Sequence, residues 1–215
     1  MSKSPNIADL RRTLREKFPA TRHDVDSCSP EEDRPAHQLK DVFSASRLSP
    51  GSFTECSGTA AGLALIHAYL LAHPPAVPDS IPALVLIDGN DSFDPASYPP
   101  EHCRRLLWAR CRKLDESLRA CDIVLRDPNL PVVLADFSFT PLNELKHVPL
   151  SSWYRLRNLC EESGAALITL TPSAMIPCAS RRFQFSGIDS PWLVPRDELF
   201  QQAKLTSLRR QSVKA

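Results

Sequence analysis

Three short segments carry residue types that phosphate chemistry would need, each at the end of an apolar run. The first is Ser57-Gly58-Thr59-Ala60-Ala61-Gly62-Leu63-Ala64. A phosphate-cradling loop reads GxxxxGK and then Ser or Thr, placed between a strand and a helix. Its glycines let the backbone approach the anion, its lysine reaches the β- and γ-phosphates, and its hydroxyl ligates magnesium. Here Gly58 and Gly62 are present, but Ser57 stands at the first glycine of the pattern, Leu63 at the lysine and Ala64 at the hydroxyl. Leucine offers no charge to a phosphate and alanine no ligand to a metal. Each lost contact costs about 2 kcal/mol or more, the scale of hydrogen bonds to charged groups. Taken alone, these eight residues read better as a small-residue turn ahead of a helix.

The second segment is Leu86-Ile87-Asp88-Gly89-Asn90-Asp91-Ser92-Phe93-Asp94-Pro95, which closes a buried run on an aspartate. The third is Val132-Val133-Leu134-Ala135-Asp136, four apolar residues and then an acid. Such a strand can deliver a carboxylate to a metal, and it can equally end in a turn or cap aspartate.

The elements that must position these residues alternate between strand and helix. Apolar runs at 53–56, 83–87, 131–135 and 165–170 read as strands, the last three covered on both faces, with a further strand at 106–109. Helices are expected at 62–71, at 99–104, at 114–125 with Leu114, Leu118, Cys121 and Leu125 in register, and at 151–163, which Gly164 stops. Residues 73–82 form a proline-rich loop. Buried strands separated by helices imply βαβ units, so the fold class is α/β with a mainly parallel sheet flanked by helices. In such a sheet ligands bind beyond the carboxyl ends of the strands, where all three segments lie. The domain plan is a helix within 1–18, a linker over 19–44 that is clearest in the charged, proline-containing stretch 19–36, a core over 45–190 and an extension over 191–215. That extension is amphipathic at first, then basic through Lys204, Arg209, Arg210 and Lys214.

Composition narrows the function classes. The chain has 215 residues, 42% hydrophobic and 24% charged, with a net charge of +1, so no global field calls for a nucleic acid or a membrane. Six glycines against 20 prolines leave little material for a glycine-rich phosphate loop. The seven cysteines (Cys28, Cys56, Cys103, Cys111, Cys121, Cys160, Cys178) show no CxxC pair and no zinc spacing, which fits reduced thiols in a cytosol. With no apolar leader and no long apolar run, a cytoplasmic location without a membrane partner is expected.

The second segment resembles the "F-I-D-A-E-H-A-L-D-P" stretch of bacterial RecA recombinases, with Asp88, Asp94 and Pro95 matching and Ile87 and Phe93 similar in character. Following a degenerate P-loop at the proper distance, it makes residues from about 45 to 172 resemble the RecA core. The order strand, helix and hhhhD strand over 106–137 agrees. By this resemblance Asp136 stands at the Walker B aspartate, and the water-activating glutamate falls on Asn90, whose amide cannot take a proton. The likeness is closer to ImuA-type proteins, small RecA-like chains encoded with translesion-synthesis components. They share an "LR-x-x-L-x-x-x-FP" helix, here residues 10–19, and an LLW strand, here Leu106-Leu107-Trp108.

The resemblance implies a RecA-like P-loop core without ATPase activity and without a cofactor or metal. It implies an accessory protein of the SOS response and of DNA repair by induced mutagenesis, which docks on RecA or a translesion polymerase component. DNA contact would be indirect or confined to a basic hairpin at Arg181 and Arg182. Two other readings follow from the same residues. One is an unorthodox ATPase, with Arg110 or Arg112 or a neighbouring subunit supplying the missing cation. The other is a division inhibitor like SulA.

Overall fold

The computed structural model describes residues 36–44, 48–79, 81–186 and 195–208. All of them fall in one compact unit. The helix expected within 1–18, the linker up to residue 35 and the basic residues Arg209, Arg210 and Lys214 lie outside the described residues.

Eight described strands form one sheet: β1 (Ala36–Gln38), β2 (Phe53–Ser57), β3 (Leu84–Asp88), β4 (Leu106–Arg110), β5 (Val132–Asp136), β6 (Ala166–Thr171), β7 (Arg181–Ser186) and β8 (Lys204–Ser207), in the order β1-β8-β7-β2-β6-β5-β3-β4. From β7 to β4 all neighbours run parallel, and β8 is antiparallel to both β7 and β1. The expectation of an α/β fold with a mainly parallel sheet is therefore met. The apolar runs become strands because side chains alternate faces: Leu84, Leu86, Val132 and Leu134 face one way, Val85, Ile87 and Val133 the other.

Helices cover both faces. On the first lie α1 (Leu39–Phe43), α2 (Ala60–Ala72) and α7 (Arg196–Gln202), which supply Val42, Leu63, Ile66 and Phe200 to one cluster. On the second lie α4 (Leu114–Val124), α5 (Leu142–His147) and α6 (Leu150–Ser163), with Cys121, Leu145, Trp153 and Leu156. A short α3 (Pro100–Cys103) leads into β4. Helix α6 ends as expected on Gly164, which is left-handed at φ 78° and donates its N–H to the Cys160 carbonyl.

Three features differ from the sequence reading. Residues 36–43 belong to the sheet and its packing, with Leu39, Val42 and Phe43 buried, so the core begins before residue 45. Beyond residue 190, α7 and β8 complete the sheet up to Ser207 instead of forming a separate extension. The stretch carrying Arg181 and Arg182 is neither a hairpin nor a sheet edge, since β7 lies between β2 and β8.

The β6-to-β7 connection is also unusual. Parallel strands are commonly joined by a dozen or more residues that include a helix. Here residues 172–180 return without one, passing over β2 on the second face, where Ile176, Cys178 and Ala179 are buried.

Candidate functional site

Adjacent strands β3 and β5 send their outgoing connections in opposite directions, β3 toward β4 and β5 toward β6, which opens a crevice at their carboxyl ends. Asp88 and Asp136 are the register partners there, and both lie on the face that α2 covers. A cavity of about 150 Å³ lies against them, lined among others by Ala60, Ala64 and His67 of α2, by Phe93 and Tyr98, and by Asp136.

The two aspartates differ in role. Asp88 is 1% exposed and accepts from the backbone N–H groups of Asn90, Ser92 and Phe93, from the Ser92 hydroxyl and from Trp108 Nε1. Its oxygens are consumed in shaping the turn after β3. Asp136 uses Oδ1 alone, for the Ser138 N–H at 2.9 Å and hydroxyl at 2.6 Å, and it lines the cavity. It serves as a turn aspartate and still presents a carboxylate to the crevice. Gly89 is required between them. Its N–H donates to the Asp136 carbonyl at 3.0 Å, and a Cβ there would sit 2.6 Å from that same oxygen.

The degenerate loop folds tightly. Strand β2 ends at Ser57 and α2 begins at Ala60, so only Gly58 and Thr59 connect them. Gly58 is held at φ 153°, and a Cβ on it would come within 2.9 Å of Phe185 Cβ. Leu63 is fully buried in the core, whereas Ala64 reaches the cavity. Gly62 is an interior residue of α2. Two connecting residues give no backbone length to wrap a phosphate, and neither Leu63 nor Ala64 supplies the charge or the hydroxyl that a magnesium nucleotide needs. These residues do not fit that group.

The remaining candidates are placed as follows. Asn90 donates its amide to the Thr140 hydroxyl at 3.0 Å. Arg110 makes a two-pronged pair with Asp91 at 2.6 and 2.8 Å and covers the Trp108 ring, which holds it over the β3 turn. Arg112 donates its backbone N–H to Glu116, and its charge acts on Asp91 beside that of Arg110. Arg182 faces Glu55 across the sheet and donates to the Ile176 carbonyl, while Arg181 lies over the Phe183 ring at 5.1 Å. Of the residues singled out in the sequence, the structure thus brings Ala64 and Asp136 together at one crevice and leaves Leu63, Arg181 and Arg182 elsewhere.

One residue of the crevice escaped sequence reasoning. His67 is 5% exposed on α2, and its buried Nε2 has no hydrogen-bond partner. Its ring packs on Phe93 at 5.0 Å and Tyr98 at 6.0 Å. Burial holds it below the usual histidine range, against the opposing pull of Asp136 and Asp88. A lone histidine within an otherwise apolar helix was the available signal.

Among the described residues, no group of three or more His, Cys, Asp or Glu side chains could hold a metal ion, and no helix is long and apolar enough to cross a membrane. No protein-family model and no curated protein matches the chain.

Proposed function

We propose that this chain is a RecA-like domain, of the ImuA type, that does no nucleotide chemistry and acts by binding a protein partner in the DNA-damage response. Its partner on this reading is RecA or a translesion polymerase component, its setting is the cytoplasm, and its contribution is to induced mutagenesis. The observation that carries the non-catalytic half is the two-residue connection between β2 and α2, with Leu63 turned into the core. Without a loop there is nothing to cradle a phosphate. The partner half draws support from the strand, helix and acid-ended strand of β4, α4 and β5, which follow the order of the resemblance, and from Phe139, 60% exposed at the rim of the crevice.

Arg110 adds a second argument against hydrolysis, because its charge is already matched by Asp91. The interval after β5 contains the helix α5, and the interval after β6 is tied to Glu55 by the N–H groups of Met175 and Ile176, so neither is a free loop of the kind that would wrap DNA.

The test has two arms. Millimolar ATP with magnesium is expected to leave the thermal unfolding midpoint unchanged, and a rise of a few degrees would overturn the non-catalytic reading. Purified full-length chain is expected to retain RecA or a translesion polymerase on a column, and deleting its gene is expected to lower damage-induced mutation frequency. Unchanged mutation frequency together with no retention removes the partner reading.

A further inference from the structure

The crevice beyond β3 and β5 holds an unanswered polar atom, a carboxylate and aromatic walls. Among the described residues no lysine or arginine is part of its lining, and the cation beside it is Arg196, which lies over the Tyr98 ring at 4.9 Å and donates to the Ser97 carbonyl. His67 Nε2 is buried without a partner, and Asp136 keeps Oδ2 out of its own turn. Asp94, also on the lining, is spent on the Ala96 N–H and the Ser97 hydroxyl. Phe93 and Tyr98 form the wall, and exposed Phe139 stands at the mouth.

Size narrows the ligand. The cavity of about 150 Å³ is below the 300–1,000 Å³ range of sites that enclose a drug-sized molecule, so it suits the end of one side chain. Charge narrows it again, because a negative lining with an imidazole acceptor calls for a cation rich in N–H donors. A guanidinium has five such donors in a plane, pairs with a carboxylate through two of them, stacks on aromatic faces and is weakly hydrated. An ammonium is a compact, strongly hydrated point charge and matches the aromatic walls less well.

We propose that this crevice is a socket for an arginine side chain of the partner protein, with the Asp136 carboxylate pairing its charge, His67 Nε2 accepting one N–H and Phe139 covering its stem. The inference rests on the partner-binding reading and specifies how the partner is recognised. A neutral His67 ring is required, since an imidazolium has no acceptor and would repel the guest; burial keeps the ring neutral.

The experiment titrates the full chain with N-acetyl-arginine amide and follows the His67 ring signals by NMR, with the lysine and citrulline analogues and ATP·Mg in parallel. The arginine amide is expected to shift those signals saturably, and citrulline, which keeps the shape without the charge, to bind about tenfold more weakly or worse. Asp136→Asn preserves the turn acceptor and is expected to weaken arginine binding by about tenfold, as is Phe139→Ala, which changes an exposed side chain. Equal responses to arginine and citrulline, or full binding by Asp136→Asn and Phe139→Ala, overturn the socket. If no probe shifts His67, the socket alone falls. If ATP·Mg shifts it and arginine does not, the non-nucleotide reading falls as well.

Discussion

Glu55 and Arg182 stand directly opposite each other on the adjacent parallel strands β2 and β7, with 3.3 Å between Arg182 Nε and Glu55 Oε2. Glu55 is fully buried, and its other oxygen accepts the N–H groups of Met175 at 2.7 Å and Ile176 at 3.0 Å and the Thr171 hydroxyl at 3.2 Å. The Arg182–Glu55 contact is ionic in character, because neither atom completes a hydrogen bond there. A short crossover without a helix leaves backbone donors to satisfy, and Glu55 satisfies two of them. Burial pushes its carboxyl above the ordinary value while the two N–H donors, the arginine and the threonine draw it back.

Removing one member of this pair is therefore costly. Arg182→Met is expected to destabilise the fold by about 3–5 kcal/mol, because it strands a buried carboxylate. Urea unfolding measures the loss. Adding Glu55→Gln to Arg182→Met is expected to restore part of it, and a double variant no more stable than Arg182→Met would show that the two residues do not act as a pair.

The second prediction concerns Gly89. Alanine there would drive a methyl group to 2.6 Å from the Asp136 carbonyl oxygen and 3.1 Å from Phe137 Cδ1. The ends of β3 and β5 must then separate, at a cost of about 1–3 kcal/mol. Amide chemical shifts of Asp136 and Ser138 are expected to move in Gly89→Ala, with those of α6 left in place.

Acid should weaken the fold through His67. Its ring is depressed by burial in the folded state, with Asp136 of β5 and Asp88 of β3 pulling the other way. An unfolded histidine takes up a proton near pH 6.5 and the folded one does not. The stability contributed by the neutral ring is thus present above about pH 6.5 and is lost as pH falls toward the depressed value. Between about pH 7.5 and pH 5.5 the urea midpoint is expected to fall more in the native chain than in His67→Gln. Parallel pH profiles for the two proteins would refute this.

Thiol chemistry offers an independent check on packing. Burial pushes the Cys56 and Cys121 thiols far up, Cys160 to about 12 and Cys178 to about 11. Cys103 is only half-buried. Iodoacetamide at mildly alkaline pH is expected to modify Cys103 well ahead of those four in the folded chain, because the thiolate is the reactive form. Peptide mass spectrometry reads the order, and early labelling of Cys121 would contradict the packing of α4.

How much of this was legible in the sequence depended on how local each signal was. The four-to-six-residue apolar runs announced β3, β5 and β6, and the stripe of Leu114, Leu118 and Cys121 announced α4, because periodicity within one element suffices for those. Strands β1 and β8 are short and mixed in character. What makes them strands is their pairing, Ala36 with Thr206 and Gln38 with Lys204, which no window of neighbouring residues records. Arg181 and Arg182 read as a basic hairpin, and what places Arg182 inside the sheet, its partner Glu55 on β2, is remote in sequence. At the crevice, Asp136 and Ala64 were legible from their motifs. His67 was not, for its meaning comes from Asp88 and Asp136 on other strands.

The pairing of β1 with β8 also sets a timetable for synthesis. Ala36 and Thr206 are separated by about 170 residues, so one edge of the sheet cannot close until Thr206 has left the ribosome. Until then β7 is itself an edge, and Phe183 and Phe185 have no β8 beside them. Nascent chains halted before residue 204 should therefore hold a formed β2–β6 centre next to an open, sticky margin, the species on which a chaperone would act.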